Sequence, residues 1–249
     1  MEFWKYYDVT HKEHLICNPT SVEKLNGLID LMELGPDSKV LEIATGKGEF
    51  LIRLIENYNV SGIGVDLSPY HLGDARRKAK ERVPNAELKL IEMDGADYKP
   101  DEPECFDLAC CLGASWIYNG HKGTLKYLMN QTKHNGLIVV GEPFWICTPS
   151  EEYFNLSELK YETYSTHLGN VQIGENLGLN LLYTFVSNSD EWDRYLGLQW
   201  YATDKYIQAN PDDPDIPELL TKLNKEKYLY LNWERDTLGW AIYVFRKPK

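Results

Sequence analysis

Between residues 38 and 143, short runs of apolar, often β-branched residues alternate with stretches in which apolar positions recur every three or four residues. The runs read as strands at Lys39–Ala44, Gly62–Asp66, Glu87–Met93, Phe106–Leu112 and Gly136–Gly141. The amphipathic stretches read as helices near Glu49–Tyr58, Pro69–Val83 and Gly123–Lys133. Strands this continuously apolar need helices over both faces, so the pattern predicts an α/β, Rossmann-like, doubly wound parallel sheet. Ligands of such sheets sit at the carboxyl ends of the strands, which directs attention to the residues just after each one.

Ahead of this core, Thr20 or Ser21 can cap a helix running to about Leu34, with Glu23 in its first turn and Gly35-Pro36 ending it. Behind it, Glu151–Gly178 reads as helical and irregular, and Leu179–Ser187 and Gly239–Arg246 read as two further strands, bringing the sheet to seven. Helical signals at Ser189–Ala209 and Pro217–Leu231 lie between those two strands. The expected organisation is one domain over residues 1–249: an N-terminal helical segment at 1–37, a core at 38–143, and a second half at 144–249 whose 189–238 insertion forms a lid.

Composition narrows the function. A formal charge of −12 argues against nucleic acid, whose affinity rests largely on Lys and Arg neutralising phosphates. The one basic run, Arg76, Arg77, Lys78, Lys80 and Arg82, lies in a predicted helix and reads as a solvated face. No apolar run approaches the roughly 20 residues that span a bilayer, so no membrane partner is expected. Five cysteines without CxxC spacing suggest neither a disulfide framework nor a metal site, and a reducing cytoplasm fits them best.

The chemistry-bearing segment is Val40-Leu41-Glu42-Ile43-Ala44-Thr45-Gly46-Lys47-Gly48-Glu49-Phe50, a strand, a small-residue turn and a helix start. Small residues let backbone approach a ligand, and a helix N-terminus offers free N–H groups. Asp66, which ends the second strand with Leu67 after it, can accept two hydrogen bonds from vicinal ribose hydroxyls. Asp94, after the third strand and before Gly95 and Ala96, can accept from an exocyclic amine.

These segments, with Cys111-Leu112-Gly113-Ala114 after the fourth strand, resemble the class I S-adenosylmethionine-dependent methyltransferases. A looser, end-to-end resemblance is to a bacterial group of those enzymes without an assigned substrate. It is carried by Glu13-His14 and Asn18-Pro19, by Gly113-Ala114-Ser115-Trp116-Ile117 and Gly141-Glu142-Pro143-Phe144-Trp145, and by Trp192-Asp193-Arg194-Tyr195, Ala209-Asn210-Pro211-Asp212-Asp213 and Gly239-Trp240. The resemblance implies S-adenosyl-L-methionine as cofactor, S-adenosyl-L-homocysteine as product and no metal. It also implies Glu42 facing the methionine amino end, Ala44, Gly46 and Gly48 passing beneath it, Asp66 on the ribose and Asp94 on adenine, with Leu67, Gly95, Ala96, Leu112 and Gly113 also binding the cofactor. Ala44 departs from the family, which usually has glycine there.

Methyl transfer from a sulfonium is an in-line displacement whose reactivity comes from the cofactor, so acceptor residues are harder to read. Glu142, ending the fifth strand, is the first candidate for a general base, and His14 the second, because an N-terminal segment commonly closes over the site in this family. Trp116, Trp145, Trp192 and Tyr195 are candidates to wall a small-molecule acceptor. Two competing readings are a non-catalytic S-adenosylmethionine-binding protein, motivated by Ala44, and an NAD-dependent dehydrogenase, weakened by Leu51 where a third fingerprint glycine belongs.

Overall fold

The computed structural model describes residues 1–249. Its centre is a seven-stranded sheet of order β3-β2-β1-β4-β5-β7-β6, formed by β1 Lys39–Ile43, β2 Ser61–Asp66, β3 Leu88–Glu92, β4 Phe106–Leu112, β5 Thr132–Trp145, β6 Asn180–Val186 and β7 Leu238–Arg246. All neighbours run parallel except β7, which is antiparallel to both β5 and β6. The strand order reverses at β1 and β4, which opens a crevice above their carboxyl ends.

Alternate residues of the central strands face opposite layers, as a period of two requires. Val40, Leu108, Cys110 and Val139 join one core, packed under α2 (Val22–Asp30) and α3 (Glu49–Tyr58). Leu41, Ala109, Cys111 and Val140 join the other, packed against α5 (His121–Gln131). Cys110 and Cys111 thus belong to different cores, and all five cysteines are free. No helix is long and apolar enough to cross a membrane.

Local chemistry sets the helix starts. Ser21 caps α2 as expected, and Ser68 caps α4 (Pro69–Arg82), with Pro69 in its first turn. The basic run on α4 is more engaged than a solvated face. Lys78 and Arg82 reach the buried Glu49 carboxylate at 2.8 and 3.0 Å, and Arg82 also pairs with Glu56 on α3 at 2.5 Å.

Two features go beyond the sequence reading: a first helix inside the expected N-terminal helical segment, and a longer fifth strand. The first is α1, Phe3–Thr10, a helix begun by Glu2, whose carboxylate accepts from the N–H groups of Trp4 and Lys5 at 2.8 Å. Its amphipathic signal spans only eight residues, and its partners are distant in sequence. Lys5 pairs with Asp213 and Asp215 at 2.9 and 2.6 Å, and the Tyr6 hydroxyl donates to Glu226 at 2.6 Å. The second is β5, which runs four residues beyond Gly141 because β7 pairs with it as far as Trp145↔Leu238. Helices α6 (Glu151–Ser157) and α7 (His167–Asn176) precede β6, while α8 (Ser189–Ala209) and α9 (Ile216–Leu229) form the insertion before β7.

Candidate active site

One cavity of about 650 Å³ opens above the carboxyl ends of β1, β2 and β4, roofed by α1 and α8. Its wall includes Glu42, Ala44, Gly46, Asp66, Leu67, Asp94, Gly95, Ala96, Leu112, Gly113, Trp116 and Tyr195. Residues from four strand ends and from α8 therefore meet around one volume.

The turn after β1 is held by the acid after β2. The Gly46 N–H donates to Asp66 Oδ2 at 2.7 Å, and the Ser68 N–H donates to Asp66 Oδ1 at 2.8 Å. Ala44 adopts φ +54°, the left-handed region that favours glycine, so the family's usual residue there has a backbone reason. Gly113 has the same kind of reason on the opposite wall, with φ +112° and the Trp240 ring 2.9 Å from where a Cβ would stand. Asp94 organises its own turn by accepting from the Ala96 N–H at 2.9 Å.

Glu42 is buried, with the Thr45 hydroxyl donating to it at 2.5 Å and no cationic side chain paired to it. Burial pushes its carboxyl up to about 8, with the Thr45 bond pulling the other way. An uncompensated buried carboxylate on a cavity wall is chemically suited to an ammonium or sulfonium. No group of three or more His, Cys, Asp or Glu side chains is arranged to hold a metal ion.

Several sequence candidates stand elsewhere. Gly48 starts α3 at φ +69°, where a Cβ would lie 3.1 Å from Ala75; its role is helix packing and not the cavity wall. Trp145 is carried past the cavity by the long β5 into a separate aromatic cluster, where its indole N–H donates to the Tyr161 carbonyl at 2.8 Å. Trp192 lies one turn from Tyr195 and stacks against Tyr230, centroids 6.2 Å apart. His14 is buried outside the wall and bonds through Nε2 to the Tyr195 backbone carbonyl at 2.8 Å, pinning the N-terminal segment to α8.

Glu142 is also set back from the cavity. It is 2% exposed, accepts from the Ser115 hydroxyl at 3.1 Å, and faces His121 with Oε2 4.0 Å from Nδ1. Burial raises its carboxyl to about 7, opposed by the Ser115 bond. Its position supports the turn that carries Ala114 and Trp116 and does not touch the cavity volume.

The wall also holds residues that the sequence reading passed over, namely Phe3, Trp4, Tyr7 and His11 from α1 and its end, Asn18, Lys47 and His71. The spacing of Phe3, Trp4 and Tyr7 on one helical face was a usable signal. Lys47 gave none, because a lysine in a glycine-rich turn is ordinarily solvated. Here its ammonium is buried and donates to the carbonyls of His11, Lys12 and His14 at 2.7, 3.2 and 3.2 Å, with Asp74 at 3.4 Å. The loop below the cavity thereby holds the segment above it.

Known proteins share this fold. Residues 40–136 match a family described as methyltransferase domain. A SAM-dependent methyltransferase from Thiobacillus denitrificans, solved in complex with S-adenosyl-L-homocysteine, is 30% identical and superposes with a TM-score of 0.89 over 98% of this chain and 99% of that one. One from Geobacter sulfurreducens, also in complex with S-adenosyl-L-homocysteine, is 28% identical with a TM-score of 0.90 over 98% of each chain. The uncharacterized Escherichia coli K12 protein YjhP is 29% identical over 246 residues, 98% of either chain.

Proposed function

Since this chain belongs to the SAM-dependent methyltransferases, we propose that it uses S-adenosyl-L-methionine to methylate a small molecule enclosed beneath α1 and α8. The observation that carries the reading is the convergence of Glu42, Asp66 and Asp94, from three successive strand ends, on one cavity. Glu42 would take the cofactor's ammonium, Asp66 its ribose hydroxyls, and Asp94 its adenine amine, while the Ala44–Gly46 turn lets backbone approach closely. The bound cofactor supplies an electrophilic methyl group on a sulfonium.

The protein's contribution is alignment and exclusion of water, and proximity of this kind can lower a barrier by roughly 7–11 kcal/mol. Asp66 locks the glycine turn, and Lys47 joins that turn to the roof, so cofactor loop and lid form one hydrogen-bonded unit. The apolar and aromatic lining favours an enclosed acceptor over a protein side chain presented on a surface. A dehydrogenase reading loses its footing at Leu51, a fully buried residue of α3 where the nicotinamide fingerprint needs glycine.

Calorimetric titration with S-adenosyl-L-methionine and S-adenosyl-L-homocysteine tests the proposal, after any co-purified ligand is removed. Micromolar binding that disappears in Asp66→Ala supports the site. Wild-type affinity in that variant, or no binding by stripped protein, would overturn it.

A further inference from the structure

His11 and Tyr195 meet on the cavity wall, one from the end of α1 and one from α8, with His11 Nε2 2.9 Å from the Tyr195 hydroxyl. The direction of that bond follows from its neighbours. The Thr10 hydroxyl donates its one proton to the Tyr6 carbonyl at 2.9 Å, so its oxygen is left to accept, and it lies 3.0 Å from His11 Nδ1. The imidazole proton therefore sits on Nδ1, and Nε2 offers a lone pair. Tyr195 must then donate to His11, which leaves the phenolic oxygen with its lone pairs free; its other neighbour, the Cys17 carbonyl at 3.5 Å, offers no proton. Burial pushes His11 well below the usual histidine range, and His14, His71 and Lys47 push the same way, so the ring stays a neutral acceptor.

The rest of the wall supplies no free cation. Lys47 is the only lysine lining the cavity, no arginine lines it, and the Lys47 ammonium is spent on three carbonyls and Asp74. His71 is held below its ordinary value by burial and has a buried, unpartnered Nε2. Phe3, Trp4 and Tyr7 add aromatic surface without positive charge. A phosphate or carboxylate on an acceptor bound against His11 and Tyr195 would find neutral rings and no free side-chain cation of the protein to offset its desolvation.

We propose that Tyr195, oriented by His11, is the acceptor-recognition residue, and that it selects an uncharged or cationic aromatic or aliphatic molecule bearing an N–H, O–H or S–H group. The proposal rests on the methyltransferase reading above and goes further by naming the acceptor's chemistry. Tyr195 binds the acceptor's donor group through its lone pairs. His11 is a positioning residue that fixes which way the phenol points.

Two measurements test this on the full chain, the first with S-adenosyl-L-homocysteine bound and the second on ligand-free protein. Nitrogen-15 NMR of histidine-labelled protein should show His11 protonated on Nδ1 and bare on Nε2, with the Nε2 resonance shifting in Tyr195→Phe. A proton on Nε2 would reverse the bond and overturn the proposal. In the second, S-adenosyl-L-homocysteine formation from S-adenosyl-L-methionine is followed across a panel of amines, phenols, alcohols and thiols and their phosphorylated or carboxylated counterparts. Turnover should be confined to the uncharged and cationic members. In Tyr195→Phe the KM for those members should rise roughly tenfold, as expected for one lost hydrogen bond to a substrate group. Calorimetric affinity for S-adenosyl-L-homocysteine should stay unchanged. Turnover only of the anionic members would overturn the acceptor class, whereas absence of S-adenosyl-L-homocysteine binding by wild type would instead remove the methyltransferase site on which it rests.

Discussion

Gly46 and Asp66 are joined across 2.7 Å by a backbone N–H that donates to a carboxylate, so the turn after β1 takes its shape from the residue that ends β2. Asp66 is thus scaffold, and in the proposed reading a ligand group as well. Asp66→Ala removes the acceptor for two N–H groups, each costing about 1–3 kcal/mol when left unmet in a buried setting. S-adenosyl-L-homocysteine affinity is expected to fall at least about a hundredfold by calorimetry, with a lower melting midpoint as well. Unchanged affinity would detach Asp66 from the cofactor.

Ala44 occupies a left-handed conformation at φ +54°. An L-residue pays about 1–2 kcal/mol there, while glycine adds about 0.5–1 kcal/mol of entropy loss on folding. Ala44→Gly should therefore stabilise the protein by about 0.5–1 kcal/mol, raising the melting midpoint by a few degrees. Cofactor affinity should hold or tighten, and a lower midpoint would refute the strain argument.

Glu42 makes stability and ligand binding respond to pH in opposite directions. Burial raises its folded carboxyl from 4.5 to about 8, so between those values the folded state holds more protons than the unfolded one. Stability of the ligand-free protein must then fall as pH rises through that window, by about 1.4 kcal/mol per pH unit, and Glu42→Gln should flatten the decline. An ammonium partner favours the ionised form, so S-adenosyl-L-homocysteine should bind more tightly toward pH 8 and release a proton. Calorimetry in buffers of different ionisation enthalpy would detect that proton.

Glu142 distinguishes support from catalysis. A base in contact with the acceptor commonly contributes 10²–10⁴-fold. With its carboxylate behind Ser115, Glu142→Gln is expected to spare S-adenosyl-L-homocysteine affinity and lower turnover by less than about tenfold. Relative to wild type the variant should gain stability between about pH 4.5 and 7, where the folded native carboxyl holds a proton that the unfolded chain has lost, and keep that gain above pH 7. A thousandfold loss of turnover would restore it as the base.

Lys47 gives a test of the roof. Replacing it in Lys47→Met leaves the carbonyls of His11, Lys12 and His14 without their charged donor, a loss of about 1.5–3 kcal/mol for hydrogen bonds of this type. Amide exchange by mass spectrometry should quicken across residues 3–14 and stay unchanged in β1, β4 and β5. Uniform protection would show that the segment is held by other contacts.

What was legible in the sequence follows from locality. Strands β1 to β4 and the acids at their ends were readable because each is a short apolar run closed by a polar residue within its own segment. The residues proposed to hold the cofactor lie at those same strand ends. Trp145 was misplaced because the end of β5 is decided by pairing with β7, nearly a hundred residues later. His14 was singled out and His11 was not, although both lie beside Tyr195; which ring faces the cavity is set by α1 docking on α8 and α9. Lys47 and Glu142 were invisible in their actual roles because burial of a charged group reflects the whole fold and not its neighbours in sequence.

The position of β7 between β5 and β6 governs how the molecule can be made. As a chain emerges from the ribosome, β5 and β6 are complete long before the strand that separates them exists. Until residues 238–246 arrive, the unpaired flank of β5, with its apolar Leu137–Val140 run, is an open edge suited to pairing with another nascent chain. A premature stop before Leu238 would therefore yield an aggregating species and not a smaller enzyme, although every residue of the cavity wall would already have been synthesised.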